Sequence, residues 1–444
     1  MKKIFLKTVI FLLTIFLVFL LYASTIGIKT NKLNNQISNE IKNIDRNLEI
    51  ELKKVNLILK PFKLRVDAKV TGANLKYNNE IVKIQSIKTS VSLKSLVNKK
   101  FSLTELNIST KAIEVKKLIS FVRLFKKDIK IYVAEQLIKS GYIIADLNIE
   151  FDENGKVKDN YIISGVIKEG QVNLFKKYNL TQIDFNFNFK KDNFRLNKTS
   201  LFINDKQIVI PKLIANKIKD KFKITGQINN KKINLDQKEI EKYLDFSNPN
   251  FQIKEFRFNS ENYFNFEVNE NFKIDNLKVK SEIDIKHLAI DNKNNLAGIF
   301  PELNKIIRFN NHKITLNYEP ESLDIDGSGE VLFQEYADKI QYKILKTKKN
   351  LFFDANLKIN LNQLSIDSLN YESEKKSNLL ITVKGNKILN KNIIFKKIIL
   401  EEKNNNFKII NLSLTKNKID KFDKIVFDYK DTENLKNKIQ ILRN

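Results

Sequence analysis

Between Glu80 and Leu118 apolar residues keep recurring two positions apart. Ile87, Val91 and Leu93 stand two or four residues apart with Thr89 in step, and Lys88, Ser90, Ser92 and Lys94 lie between them. A β-strand sends successive side chains to opposite faces, so this spacing sets one face against oil and the other in water. Phe101 and Leu103, Leu106 and Ile108, then Ile113 and Val115 carry the alternation on. The even-to-odd slip at Leu106 predicts a bulge or a short turn, because a one-residue shift otherwise flips every later side chain.

Most of the chain repeats this pattern. Ile183, Phe185, Phe187 and Phe189 alternate with Asp184, Asn186 and Asn188, the cleanest strand of all. Ile208 and Ile210, Phe222 and Ile224, and Ile233 and Leu235 follow. A dense series then runs from Phe256 and Phe258 through Phe264, Phe266, Phe272 and Ile274 to Ile283 and Ile285. The last third gives Leu357, Ile359 and Leu361, then Ile381 and Val383, Ile398 and Leu400, and Leu412 and Leu414. Asp152 to Gly155 reads as a hairpin turn. Pro61 divides NLILKPFKLRV into two strand pieces, and Thr71-Gly72 and Tyr77-Asn78-Asn79 read as turns.

The period changes in four places. Ile37, Ile41, Ile44 and Leu48 form one helical stripe. Leu118, Phe121, Val122, Phe125, Ile129, Val133 and Leu137 predict a helix or two ending near Ser140-Gly141, where glycine suits a left-handed cap. Gln237 to Leu244 predicts a short helix, and Ala297 to Phe309 another with Pro301 near its start.

At the N-terminus Lys2, Lys3 and Lys7 precede Thr8 to Ile28, which carries no charge. The run is long enough to span a bilayer, which takes about 20 apolar residues. Only Ala23-Ser24-Thr25 faintly resembles a cleavage site, so an uncleaved anchor is expected. The lysines before the span place the N-terminus in the cytoplasm and the body outside it. The chain stops in Asn434 to Asn444 without a closing motif, so a longer parent protein is allowed for.

Composition removes most chemistry. Absence of Cys excludes disulfides, thiolate metal sites and thiol catalysis. His287 and His312 are the only histidines, and neither has a second one at ligand spacing; each reads as a surface or strand-end residue. Asp324 to Glu330 (DIDGSGE) has the look of an acidic calcium loop but lacks its third acidic position and distal Glu, so it reads as a hairpin turn. No nucleophile elbow, phosphate loop or dinucleotide fingerprint occurs, so neither an enzyme nor a cofactor is expected. The 79 Lys and Arg against 51 Asp and Glu give a net charge of +28, but the lysines alternate with apolar residues, apart from small doublets such as Lys99–Lys100 and Lys190–Lys191. Arg is scarce, so the charge reads as solvated strand faces and no nucleic-acid partner is expected.

An antiparallel sheet with one oily face covers it by sandwiching, by closing a barrel or by curling round a ligand. Many-stranded sheets twist and curl, and a trough walled by large apolar side chains suits acyl chains at about 0.8 kcal/mol per buried methylene. The alternation fits an ordinary sandwich with a dry core as well. The expected fold is mainly β with a few helices, a transmembrane helix followed by a long curved antiparallel sheet that forms an apolar groove. Its lining would be Ile87, Val91, Leu93, Phe101, Leu103, Ile183, Phe185, Phe187, Phe189, Leu357, Ile359 and Leu361.

The anchor, the segment from Leu59 to Ile108 and the repeated strand pairs resemble the AsmA-like family of Gram-negative envelope proteins, related to TamB and YhdP. The resemblance rests on Ile84, Ile87, Val91, Leu93, Ser95, Leu96, Phe101, Leu103, Leu106, Ile108, Ile113 and Val115, and holds best over residues 1 to 120. It implies an inner-membrane-anchored periplasmic β-groove that holds or conducts phospholipid and contributes to outer-membrane lipid homeostasis. The chain is short for the members that bridge the two membranes. On this reading residues 1–30 are the anchor, 31–236 an AsmA-like groove region with a helical insert near 117–140, and 237–444 a continuing groove. The alternative is a non-enzymatic scaffold that binds other envelope proteins.

Overall fold

The computed structural model of the chain describes residues 2–443 apart from 33, 45, 78–79, 94–102, 126–128, 153–155, 175–177, 244–250, 270, 272, 294–297, 375, 389–390 and 416–417. The expected positions Phe101, Phe272 and Ala297, the turn at Asn78-Asn79 and the tip of the turn at Glu153 to Gly155 lie outside the described residues. Among the described residues 26 strands belong to one antiparallel hydrogen-bonded sheet, and two more form a small ribbon. The chain divides into two compact units, Met1–Lys217 and Ile218–Asn444.

The first unit opens with helix α1 (Lys2–Thr25), whose stretch Lys3–Thr25 is long and apolar enough to cross a membrane. Gly27, at φ +79, ends it and turns the chain directly into β1 (Ile28–Thr30). Helix α2 (Asn34–Ile44) follows, then β2 (Leu48–Glu51), β3 (Val55–Lys60), β4 (Arg65–Thr71), β5 (Asn74–Tyr77) and β6 (Glu80–Ser92). Next come β7 (Leu103–Thr110), β8 (Ile113–Glu114), helices α3 (Val115–Phe125) and α4 (Ile129–Leu137), and β9 (Ile138–Glu150). Four long strands complete the unit: β10 (Ile162–Leu174), β11 (Tyr178–Lys190), β12 (Asn193–Ile203) and β13 (Lys206–Ile218). The main order is β1-β3-β4-β6-β7-β9-β10-β11-β12-β13.

The first half of β6 leaves β4 and pairs with β5, which pairs with β2. That side sheet and helices α2 and α3 close a core of Leu48, Ile50, Val55, Val70, Tyr77, Val82, Ile84 and Phe121. Tyr77 meets Phe121 edge-on at 6.3 Å between ring centroids. Ser120 and Arg123 of α3 both bond Glu135 of α4, which ties the two helices together.

The second unit is a meander. Its strands are β14 (Lys221–Asp236), β15 (Phe251–Asn269), β16 (Ile274–Asn292), β17 (Ile306–Glu319), β18 (Ser322–Leu332), β19 (Asp338–Thr347) and β20 (Asn350–Ile359). Helix α5 (Gln237–Tyr243) joins β14 to β15 and buries Ile240. After β20 a ribbon of β21 (Ser365–Ile366) and β22 (Tyr371–Glu372) folds back over the sheet. The meander resumes with β23 (Leu379–Ile388), β24 (Asn392–Glu402), β25 (Asn405–Thr415), the short β26 (Lys418–Lys421), β27 (Lys424–Lys430) and β28 (Lys436–Leu442).

The slip at Leu106 is a bulge: Thr89 pairs Leu106, but Val91 pairs Leu103, with a register shift between Ser90 and Val91. The two-helix reading of Leu118 to Leu137 and the helix at Gln237 hold. Several expectations need correction. The stripe from Ile37 ends at Ile44, and Leu48 starts a strand that the core draws in. Gly141 does not cap α4; it lies inside β9, packed against the backbone of Gly170. No helix occurs in residues 298–309: a turn leads into β17 at Ile306, because cross-strand pairing with β16 outweighs the local period. Asp324 to Glu330 is no turn but the middle of β18. Pro61 sits in a single 3-10 turn that closes the β3–β4 hairpin.

Candidate functional site

Directly paired residues in an antiparallel sheet share a face, so the register can be followed sideways from strand to strand. In the first unit one such row reads Val55, Val70, Ile87, Ile108, Leu147, Ile163, Phe189, Phe194 and Ala215 across nine strands. Every member is apolar. The row starts inside the closed core at Val55 and Val70 and becomes half-buried from Ile87 to Phe194. Beside it run Ala145, Gly165, Phe187, Leu196 and Leu213, then Ile143, Ile167 and Phe185.

The second unit repeats the arrangement. Ile283, Ile314, Gly327, Tyr342, Ala355, Val383, Ile398, Ile409, Ile425 and Ile441 form a row across ten strands. Towards β14 the same row turns polar at Ser260 and Asn230, which hydrogen-bond each other at 3.0 Å.

A glycine on one strand repeatedly faces an aromatic ring on the next. Gly165 pairs Phe187, Gly226 pairs Phe264, Gly327 pairs Tyr342 and Gly385 pairs Phe353. In each case the ring folds across the space that a Cβ would fill. Glycine interrupts these strands so that a ring can lie flat on the neighbouring backbone. The face is thereby paved with rings.

The opposite face carries the charge. Lys343 meets Asp326 at 2.8 Å, Lys384 meets Asp354 at 3.0 Å, and Lys168 meets Asp184 at 2.7 Å. Hydrogen bonds to Asp275 and Glu267 hold the Lys221 pKa above its ordinary value. On the apolar face burial acts the other way on neutral groups, raising the Tyr342 phenol and lowering the His312 imidazole.

Accessible area decides how far these faces are covered. The chain exposes 29403 Å², whereas two separate compact globules of half its 52.0 kDa each would expose about 21,000 Å² together. The bare α1 contributes to the excess. An open concavity of about 690 Å³ lies on the polar face, lined by Glu261, Glu282, Asp284, Lys313 and Asp326 among others.

The expected lining residues are not one set. Ile183, Phe185, Phe187 and Phe189 share the half-buried face of β11, and Ile87 is on the row of Phe189. Val91 pairs Leu103, and Leu93 follows β6 half-buried, its N–H donating to the Leu64 carbonyl at 2.8 Å. Ser90, expected in water, is 6% exposed: it stays on the polar face, in register with Asp67 and Glu105, and donates to Asp67 at 2.7 Å. Leu357 borders a closed core and Ile359, 1% exposed, is inside it with Leu364, Tyr371 and Leu379. Leu361 lies beyond β20 and is exposed. His312 is neither at the surface nor at a strand end; it stacks on Tyr342 within the apolar face of β17. Phe194, Leu196, Leu147 and Ile163 belong to the wall and were missed; alternation marks them too, once the partner strands are known. No protein-family model, curated protein or solved structure matches the chain.

Proposed function

We propose that the protein is anchored in the inner membrane of a bacterial envelope and holds or conducts phospholipid along the apolar face of its sheet. On this reading it is an AsmA-like protein, its body lies in the periplasm, and it contributes to outer-membrane lipid homeostasis. One observation carries the proposal: apolar rows continue from strand to strand and stay half-buried over most of their length. An acyl chain laid on such a row removes its methylenes from water at about 0.8 kcal/mol each. The lysines in the first turns of α1, ahead of its uncharged run from Thr8, favour a cytoplasmic N-terminus and so a body on the far side.

The full chain, purified in mild detergent, is extracted and analysed for lipid by mass spectrometry. Phospholipid should accompany the protein, and Phe187→Asp should lose it while the sheet stays folded. A chain that carries no lipid but holds a stoichiometric envelope protein is a scaffold, and the lipid reading is then abandoned.

A further inference from the structure

The β3–β4 hairpin ends in Lys60-Pro61-Phe62-Lys63-Leu64-Arg65, a turn that leaves its two large apolar side chains exposed. Phe62 is 103% exposed and Leu64 65%. Leu64 is also held left-handed, at φ 46 and ψ 47. Of the 17 non-glycine residues with positive φ among the described residues, it is the only apolar one. A left-handed conformation costs an L-residue about 1 kcal/mol, which Gly or Asn would largely avoid. Folding alone does not account for a strained, exposed Leu beside a bare Phe.

The position of the turn indicates its partner. Gly27 lies against Leu57 and Ile58, so α1 ends beside β3 with only one turn between span and sheet. Ala23, in the last turn of α1, is 3% exposed. Strand β1 runs from Gly27 towards Val55, so the hairpin tip extends from the α1 end of β3, about 10 Å beyond Ile58. With 23 residues, Lys3–Thr25 spans roughly 35 Å, enough for the hydrocarbon core and little more. The sheet therefore starts at the headgroups. Aromatic and aliphatic side chains at that level, flanked by cations, suit an anionic bilayer surface.

We propose that this hairpin tip is a second membrane contact: Phe62 and Leu64 enter the leaflet facing the body, and Lys60 and Lys63 lie among anionic lipid headgroups. The contact fixes the first strands against the bilayer. It rests on α1 being inserted in the membrane, and not on any lipid being carried.

The chain has no Trp, so Phe62→Trp introduces a single indole into the full protein. The variant is reconstituted into vesicles of phosphatidylethanolamine and phosphatidylglycerol. A blue-shifted indole emission, quenched by lipids brominated on their acyl chains and protected from iodide, is expected. Adding Lys60→Gln and Lys63→Gln should weaken that quenching, as should high salt. A separate Phe11→Trp variant, with its indole inside α1, is the reference. Bromolipid quenching of the Phe11→Trp variant without quenching of the Phe62→Trp variant overturns the proposal while leaving the anchor intact. No quenching of the Phe11→Trp variant removes the anchor itself, and the hairpin contact with it. An indole at the hairpin tip shielded from both quenchers is covered by protein, which also overturns the proposal.

Discussion

Strands β11 and β20 carry the same alternation and meet different fates. On β11 Phe185 and Phe187 stay half-buried, with no segment folded across them among the described residues. On β20 Ile359 is 1% exposed, because residues 363–374 fold back and place Leu364 and Tyr371 over it. The covering segment is locked from both sides. Tyr429 donates to the Leu369 carbonyl at 2.9 Å, and the Glu402 carboxylate accepts from the Tyr371 hydroxyl, the Ser377 hydroxyl, the Glu374 N–H and the Asn405 amide. Whether an oily strand face becomes core or open wall is thus decided by chain that is not itself in the sheet.

Putting a carboxylate on each face should separate the two most widely. Ile359→Asp places a charge in a dry core at a cost of several kcal/mol, against a typical domain stability of about 5–15 kcal/mol. Loss of β circular dichroism and rapid proteolysis of the second unit are expected. Phe187→Asp leaves its carboxylate partly hydrated and should cost only about 1–2 kcal/mol. Equal unfolding by both substitutions would mean that the β11 face is also a dry core.

The lock itself gives the next largest effect. Glu402→Ala removes one acceptor group and leaves buried donors on Tyr371 and Ser377, at about 1–3 kcal/mol for each group left unsatisfied. Hydrogen exchange should rise sharply at Leu364 to Ser377 and Leu379, and little in β11. Unchanged protection of Leu364 would show that apolar packing alone holds the cover.

The paving of the open face can be tested by a double-mutant cycle. At Gly226 a methyl group would lie 2.5 Å from the Phe264 ring, and the three atoms nearest to it all belong to that ring. Gly226→Ala should therefore destabilise the second unit by about 1–3 kcal/mol, as overpacking does. In a Phe264→Ala background the same change should be neutral or favourable, since Ala suits a strand better than Gly. A cost unaffected by Phe264 would place the clash in the backbone.

The alternation of Ile183 to Phe189 was readable because half-burial writes period two into a strand, and so was the apolar run of α1. What covers what was not. Residues 363–374 look like any loop until Glu402 and Tyr371 are seen together, and Ile359 therefore read as wall. The bulges were hidden for another reason. Glu169, Gln182, Lys198, Lys232, Asn276 and Asn311 take positive φ at or next to register shifts where glycine would have announced the bulge. Gly165, Gly226, Gly327, Gly329 and Gly385 instead stand mid-strand under rings, so Gly327 and Gly329 mimicked a turn.

The smallest expected effect concerns His312, a polar ring built into the open face. It stacks on Tyr342 and meets Phe309 edge-on, with both centroids 5.6 Å away, and is 1% exposed. Burial lowers its pKa from the ordinary 6.5, against an opposing contact with the Glu330 backbone. Between 6.5 and the lower folded value the unfolded chain binds a proton that the folded chain refuses. Stability of the second unit is then fully present above 6.5 and falls as pH drops through that window, by at most about 1.4 kcal/mol per pH unit. Buried Asp338 works in the opposite sense, because burial raises its carboxyl and the folded chain takes up that proton first. His287 is retained in both proteins, so comparing the chain with His312→Phe isolates the one ring. Urea midpoints measured from pH 7.5 to 5 should fall more steeply for the unmodified chain, and His312→Phe should flatten the profile. Parallel profiles would mean that the imidazole gains its proton without leaving the stack, and that the face over β17 admits water.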